Sequence, residues 1–357
     1  MSGAAGQVDD AASGSAVGEL GPAPRRTLRS RLLLLLKLTL AGALLWVLFF
    51  KQDLLDPAAL KKALASPVSL CVALLIGSLG ISMSGLRWWI LLRYEGIGIS
   101  LANAVHLTWI GHFFNMVFPG AVSGDGVKIY YVGRQVPREL REEAWTTVLA
   151  DRVIGMVALV SVSVVASLLN LEFVWSRVEL RATLLTMLAI IGATLVGGLL
   201  LASGLLARGP ISARLARLPF GPNLGRAYGV LVRLGRNWKG VLLAFAISFV
   251  AHGLAVANAL ILGRAAGAGD DLTFVQFSSL LPIALFANAF PITPGGIGVG
   301  EGVLGKLFQW SGAAAEDGVT VMLLYRGNFY VLAAVGALAY VAYRRHAVTA
   351  DGSRGPS

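Results

Sequence analysis

Five ionisable side chains sit in stretches of this sequence that are otherwise apolar: Asp125, Asp151, Arg152, Glu301 and Arg326. A sixth, Lys37, lies one turn into an apolar run and can reach the surface along its own stem. On insertion scales a charge at the centre of a bilayer costs about 2.5–3.5 kcal/mol, so five without partners would cost on the order of 12–17 kcal/mol. That rivals the whole stability of a domain, roughly 5–15 kcal/mol. Such groups must pair, line water or bind something of opposite charge. Asp151 and Arg152 are neighbours, about 100° apart on a helix, and cannot share one partner surface. Arg152 is therefore expected to meet Asp125 or Glu301. Two readings stay open, ion pairs that lock helices together and a binding site for a charged group.

The backbone around the acids favours the second reading. "NMVFPGAVSGDG" (115–126) and "NAFPITPGGIGVGEG" (288–302) share one order: Asn, Phe-Pro, a glycine-rich break, an acid. The acids are Asp125 and Glu301, and an arginine inside an apolar run follows each, Arg152 27 residues later and Arg326 25 residues later. Broken, irregular backbone at membrane depth is tolerated only where protein buries it or a cavity adjoins it. Glycine lets backbone approach a ligand, and Pro119, Pro291 and Pro294 stop a helix. The half-helices that start near Gly126 and Gly296 would turn positive ends toward an anion. The candidate binding residues are Asn115, Gly124, Asp125, Arg152, Asn288, Gly295, Gly296, Glu301 and Arg326. On this reading Asp125→Asn and Arg326→Ala abolish function while the protein still folds.

These residues must be positioned by membrane helices. The chain is 56% hydrophobic and 14% charged, against roughly 25% charged in soluble proteins. Its apolar runs reach the ~20 residues a helix needs to cross a bilayer. The fold class is all-α and polytopic, and no alternating segments suggest a barrel. Spans are expected over a run ending at Phe50 and over about 68–86, 143–169, 180–206, 239–262 and 318–343, six in all. Two broken apolar segments, 101–136 and 274–308, are expected to be re-entrant. Interrupted segments at matched places in two halves point to an inverted repeat with a site between the halves. The repeat halves are about 68–169 and 239–342, inside one transmembrane domain over 25–345. Residues 1–24 read as a disordered cytoplasmic tail and 346–357 as a second tail.

With both termini cytoplasmic, the cytoplasmic side carries 20 Lys/Arg: four at 25–31, six at 87–141, seven at 208–239 and three after residue 343. The other side carries seven, Lys51, Lys61, Lys62, Arg177, Arg181, Arg264 and Lys306. This asymmetry favours a multi-pass plasma (inner) membrane protein and explains the +11 net charge without nucleic acid. The two re-entrant segments then enter from opposite faces.

Several chemistries are not expected. The single cysteine, Cys71, allows no intrachain disulfide, and the four scattered histidines suggest no metal site. His106 and His112 are six residues apart and read as packing or interfacial groups. "GEGVLGKL" (300–307) resembles a P-loop, but Leu307 stands where Ser or Thr is needed. No catalytic residue, metal or cofactor is expected, and no enzyme motif appears.

The segments "GHFFNMVFPGAVSGDGVKIYYV", "ADRVIGM", "FPITPGGIGVGEG" and "LYRGNFYVLAAVG" resemble the flippase-like family that includes the transmembrane region of lysylphosphatidylglycerol synthases. The resemblance covers about 30–343. It implies that the family's embedded charges fall on Asp125, Arg152, Glu301 and Arg326. Ser123-Gly124 stands where the family often has a glycine pair, and Asp151-Arg152 where it often has Glu-Arg. The resemblance implies a lipid flippase or transporter for a polar or anionic, phospho- or polyprenyl-linked lipid, without lysyl transfer. The alternative is a membrane partner or scaffold of a lipid- or glycan-synthesising enzyme. A membrane lipid is thus the expected partner, and a homo-oligomer stays open.

Overall fold

The computed structural model describes Thr39 and residues 57–117, 123–202, 238–290, 293 and 296–352. The expected first span, both tails, most of the basic 208–239 loop and the break residues Pro119, Pro291, Pro294 and Gly295 lie outside the described residues.

The described elements are helices: α1 (Pro57–Leu64), α2 (Pro67–Tyr94), α3 (Leu101–Val117), α4 (Ser123–Gln135), α5 (Arg141–Leu169), α6 (Leu171–Trp175), α7 (Val178–Ala202), α8 (Trp238–Ala266), α9 (Phe274–Asn288), α10 (Val299–Ser311) and α11 (Ala315–Gly352). A 3₁₀ turn at Arg138–Leu140 precedes α5. Among the described residues five stretches are long and apolar enough to cross a membrane: Pro67–Tyr94, Arg138–Leu169, Val178–Leu200, Trp238–Ala266 and Ala315–Tyr343. Their outer faces carry exposed Leu75, Leu79, Leu199, Val331 and Leu338, side chains that suit lipid and not water. The protein is an all-α polytopic membrane protein.

Helix ends follow local chemistry. Pro67 opens α2, where a missing N–H costs nothing. The helix stops at Gly96, whose φ of +75° suits a residue without Cβ, and Ile97 N–H closes back on Leu92 O at 2.9 Å. Because α2 continues to Tyr94, eight residues past the end expected at 86, Arg87 lies inside the bundle and not in a loop. Thr273 and Gln276 form a capping box at the start of α9.

The expected re-entrant segments are two helical hairpins, α3–α4 and α9–α10. In the first, Gly124 N–H donates to Asn115 Oδ1 at 2.8 Å and Ser123 Oγ to Phe114 O at 2.8 Å. The helices touch so closely that a Cβ on Gly124 would strike the Gly111 carbonyl. The P-loop-like "GEGVLGKL" is part of the second hairpin and lies wholly inside α10; among the described residues no strand precedes it.

Long-range contacts fix the direction of each hairpin. The open end of α3–α4 lies at the N-terminal end of α5, with Gly133 against the Trp145 ring. The open end of α9–α10 lies beyond the other end of α5, where Arg177 Nη1 donates to Trp310 O at 3.2 Å. The 29 residues of α5 separate these points by roughly 44 Å at 1.5 Å per residue. The hairpins therefore enter the bundle from opposite ends.

The pairing of elements is preserved when the halves are exchanged. Helix α5 packs on α9 as α11 packs on α3, and α5 meets α8 as α11 meets α2. At the centre α2 and α8 run antiparallel: Tyr94 lies against Gly240, Arg87 reaches Ser248, and Asn258 Nδ2 donates to Ala73 O at 2.5 Å. An operator that exchanges antiparallel helices runs across them, so for spanning helices it lies in the membrane plane.

Candidate functional site

The hairpin tips carry the acids to equivalent depths. Arg152 lies eleven residues into α5, and Arg326 eleven residues into α11. Arg152 Nη1 donates to Asp125 Oδ2 at 2.5 Å. Arg326 Nε donates to Glu301 Oε1 at 2.6 Å, and Nη2 to Glu301 Oε2 at 3.1 Å. Each arginine thus takes the acid of its own half.

The two pairs differ in exposure. The Arg152 and Asp125 side chains are 25% and 17% exposed, whereas Arg326 and Glu301 are 10% and 0% exposed. Glu301 has further work: its Oε2 accepts from Gly298 N–H at 2.9 Å and closes the first turn of α10. Arg326 Nη2 also donates to Gly296 O at 3.0 Å. The second pair clamps its own glycine break, which includes Gly296 at φ +70° and Gly298 at φ +82°. The first pair borders open space.

That space comprises two adjoining cavities of about 360 and 380 Å³. His112, Asn115, Arg152, Ala289, Tyr325 and Phe329 line both. Asp125 lines the first, and Asn288 and Arg326 the second. Among the expected site residues, Asn115, Asp125, Arg152, Asn288 and Arg326 therefore face common space. Gly124 and Gly296 act as backbone at the tips, where Asn288 packs against Gly296 and Gly300. The equivalence is incomplete: Asn115 Oδ1 accepts from Gly124, whereas Asn288 Oδ1 is buried without a partner among the described residues.

Two charged groups of this site are missing from the sequence reading. Asp151 turns away from Arg152, as their angular separation requires, and meets Arg87 Nε at 2.6 Å and Lys128 Nζ at 3.5 Å. Arg87 and Lys128 are both buried. The count that placed them among cytoplasmic loop residues is corrected here, and two of its 20 leave the cytoplasmic tally. The signal that could have found Lys128 is its position three residues after Asp125, which places both on one face of α4. The two histidines pack against a neighbouring helix: His106 and His112 both contact α11, through Ala339 O and Phe329 O, at 3.1 Å each. His252 holds Gly155 O at 2.9 Å and lines the first cavity. Among the described residues no cluster of His, Cys, Asp and Glu could hold a metal ion.

Two opposed hairpins, with an acid–arginine pair on each and two adjoining cavities that mix charged and apolar side chains, define a polytopic membrane protein with an interior charged site. A family model described as the lysylphosphatidylglycerol synthase TM region matches residues 34–336, and the chain belongs to that family. It is 24% identical over 350 residues to a UPF0104 membrane protein of Pyrococcus horikoshii, across 91% of this chain and 100% of the relative. It is 22% identical over 309 residues to a UPF0104 membrane protein of Methanothermobacter thermautotrophicus, across 80% of this chain and 89% of the relative.

Proposed function

We propose that this protein moves a lipid with a polar or anionic head group, phospho- or polyprenyl-linked, between the leaflets of a membrane. The observation that carries the reading is the pair of hairpins that enter from opposite ends and bring their acid–arginine pairs to two adjoining cavities. A head group could occupy that space while its acyl or prenyl tails stay in the bilayer. Access from the two leaflets would alternate by movement of one half against the other. The part-buried Asp125–Arg152 pair supports binding more directly than the more deeply buried Glu301–Arg326 pair does. We assign the protein to the plasma (inner) membrane with both termini cytoplasmic, and no covalent step to its residues.

The full burial of Glu301 favours one rival, in which the charges only hold the bundle and the protein serves as a partner of a lipid- or glycan-synthesising enzyme. Transbilayer movement of a fluorescent lipid, read by external quenching in liposomes that hold only this protein, separates the two. Movement above that of empty liposomes supports transport. Its absence across neutral, zwitterionic and anionic head groups overturns it.

A further inference from the structure

The outer face of α4 carries Gly126, Tyr130 and Arg134, spaced four residues apart so that they form one exposed stripe, while Lys128 on the opposite face is buried in the bundle. This stripe, the 3₁₀ turn and the start of α5 border a cavity of about 640 Å³, whose walls include Tyr130, Arg134, Arg138, Arg141 and Trp145. None of its described lining residues lines either interior cavity. It lies at the membrane surface, because Arg138 begins a stretch that can cross the membrane. Tyr130 and Trp145 are exposed there, as aromatic rings at a water–lipid boundary are.

Three guanidinium groups border this cavity, and among the described residues no acid does. The acids of the same stretch, Glu139, Glu142 and Glu143, lie outside its lining. The Arg134 guanidinium carbon lies 5.1 Å from the centre of the Tyr130 ring. Arg138 and Arg141 make no ion pair among the described residues, and Arg141 Nε is buried without a hydrogen-bond partner. Guanidinium groups stay charged in proteins, so three around one space repel. Arg138 and Arg141 also stand at the start of α5, where the helix dipole favours negative charge. Topology alone accounts for arginines on one side of a membrane. It does not account for three that border one acid-free space, or for a buried donor left unsatisfied. A bound anion would offset the repulsion and offer Arg141 an acceptor.

We propose that this cavity is a site, separate from the interior cavities, for a phosphate monoester, a group with about two negative charges near neutral pH and three acceptor oxygens. Arg138 and Arg141 are the side chains that meet it. The phosphate of a lipid in the adjoining leaflet and that of a soluble ester present the same chemistry, and the test separates these sources. The site holds its ligand at the membrane surface and does not depend on transport.

The test is isothermal titration calorimetry of the detergent-purified protein with dioctanoyl phosphatidic acid, dioctanoyl phosphatidylcholine and glycerol 3-phosphate. Phosphatidic acid is expected to bind at least about tenfold more tightly than phosphatidylcholine, the scale of one charge-assisted contact. Arg138→Gln, on an exposed turn, and Arg141→Gln are each expected to weaken it about tenfold. Asp125→Asn, which alters the interior site, is expected to keep it. Competition by glycerol 3-phosphate, the same head group without tails, supports a site that soluble esters also fill. Binding of phosphatidic acid without such competition supports a site filled from the leaflet. Equal affinity for phosphatidic acid and phosphatidylcholine overturns the proposal. So does undiminished binding by the folded Arg138→Gln, Arg141→Gln double variant, or loss of binding in folded Asp125→Asn, since either places the anion elsewhere. Binding at this site with no lipid movement in liposomes supports it while overturning transport, so the two readings fail separately.

Discussion

Glu301 and Arg326 form a two-bonded ion pair, with the carboxylate fully buried, in which the same carboxylate also caps the helix that carries it. Removal of one member of a buried pair leaves the other charge without compensation, at a cost of about 3–5 kcal/mol. Glu301→Gln and Arg326→Ala are therefore expected to lose folded protein, or to melt far earlier in detergent as read by size exclusion after heating. This revises the expectation from sequence that Arg326→Ala stays folded. Folded, stable Arg326→Ala would return Arg326 to a purely functional role.

Asp125 and Arg152 make the equivalent contact beside a cavity, and should behave differently. Asp125→Asn is expected to leave the protein folded and to reduce lipid movement at least tenfold. A double-mutant cycle with Arg152→Gln should give a coupling of about 0.5–3 kcal/mol, the range for residues in direct contact. Additive effects would mean that the pair does not act as a unit.

Two neighbouring glycines test the first hairpin. A Cβ on Gly124 would meet the Gly111 backbone and Asn115, whereas one on Gly126 would meet open space. Gly124→Ala should separate α3 from α4 and reduce the yield of folded protein. Gly126→Ala should be neutral or stabilise by about 0.5–1 kcal/mol, the helix preference for Ala over Gly. Equal tolerance at both positions would contradict the close packing of the hairpin tip.

Opposed entry of the hairpins can be read by labelling. In a Cys71→Ser background, Glu139→Cys and Asp271→Cys place exposed thiols near opposite ends of the bundle. An impermeant maleimide applied to intact cells should label Asp271→Cys and spare Glu139→Cys until the membrane is opened. Labelling of both from outside would refute the orientation and the opposed hairpins together.

Much of this arrangement is legible in the residues. Long apolar runs demand membrane helices, because hydrocarbon offers the backbone no hydrogen-bond partner. The matched order of Asn, break, acid and arginine implies two equivalent hairpins, and the pairing of each acid with a later arginine follows from the cost of isolated charge in lipid. Even the divergence of Asp151 from Arg152 is a matter of helix geometry.

Only the tertiary structure decided which partners those charges take and how deeply each pair is buried. Arg87 lies near the end of an apolar run, where hydropathy cannot separate a loop residue from the last interior turns of a long helix. Lys128 sits in a short helix of mixed polarity, and its burial depends on α2 and α5 closing over it. The unequal burial of the two acid–arginine pairs has no local signature at all. Spacing along the chain sets which face a side chain occupies, but exposure depends on what other segments, distant in sequence, pack against that face.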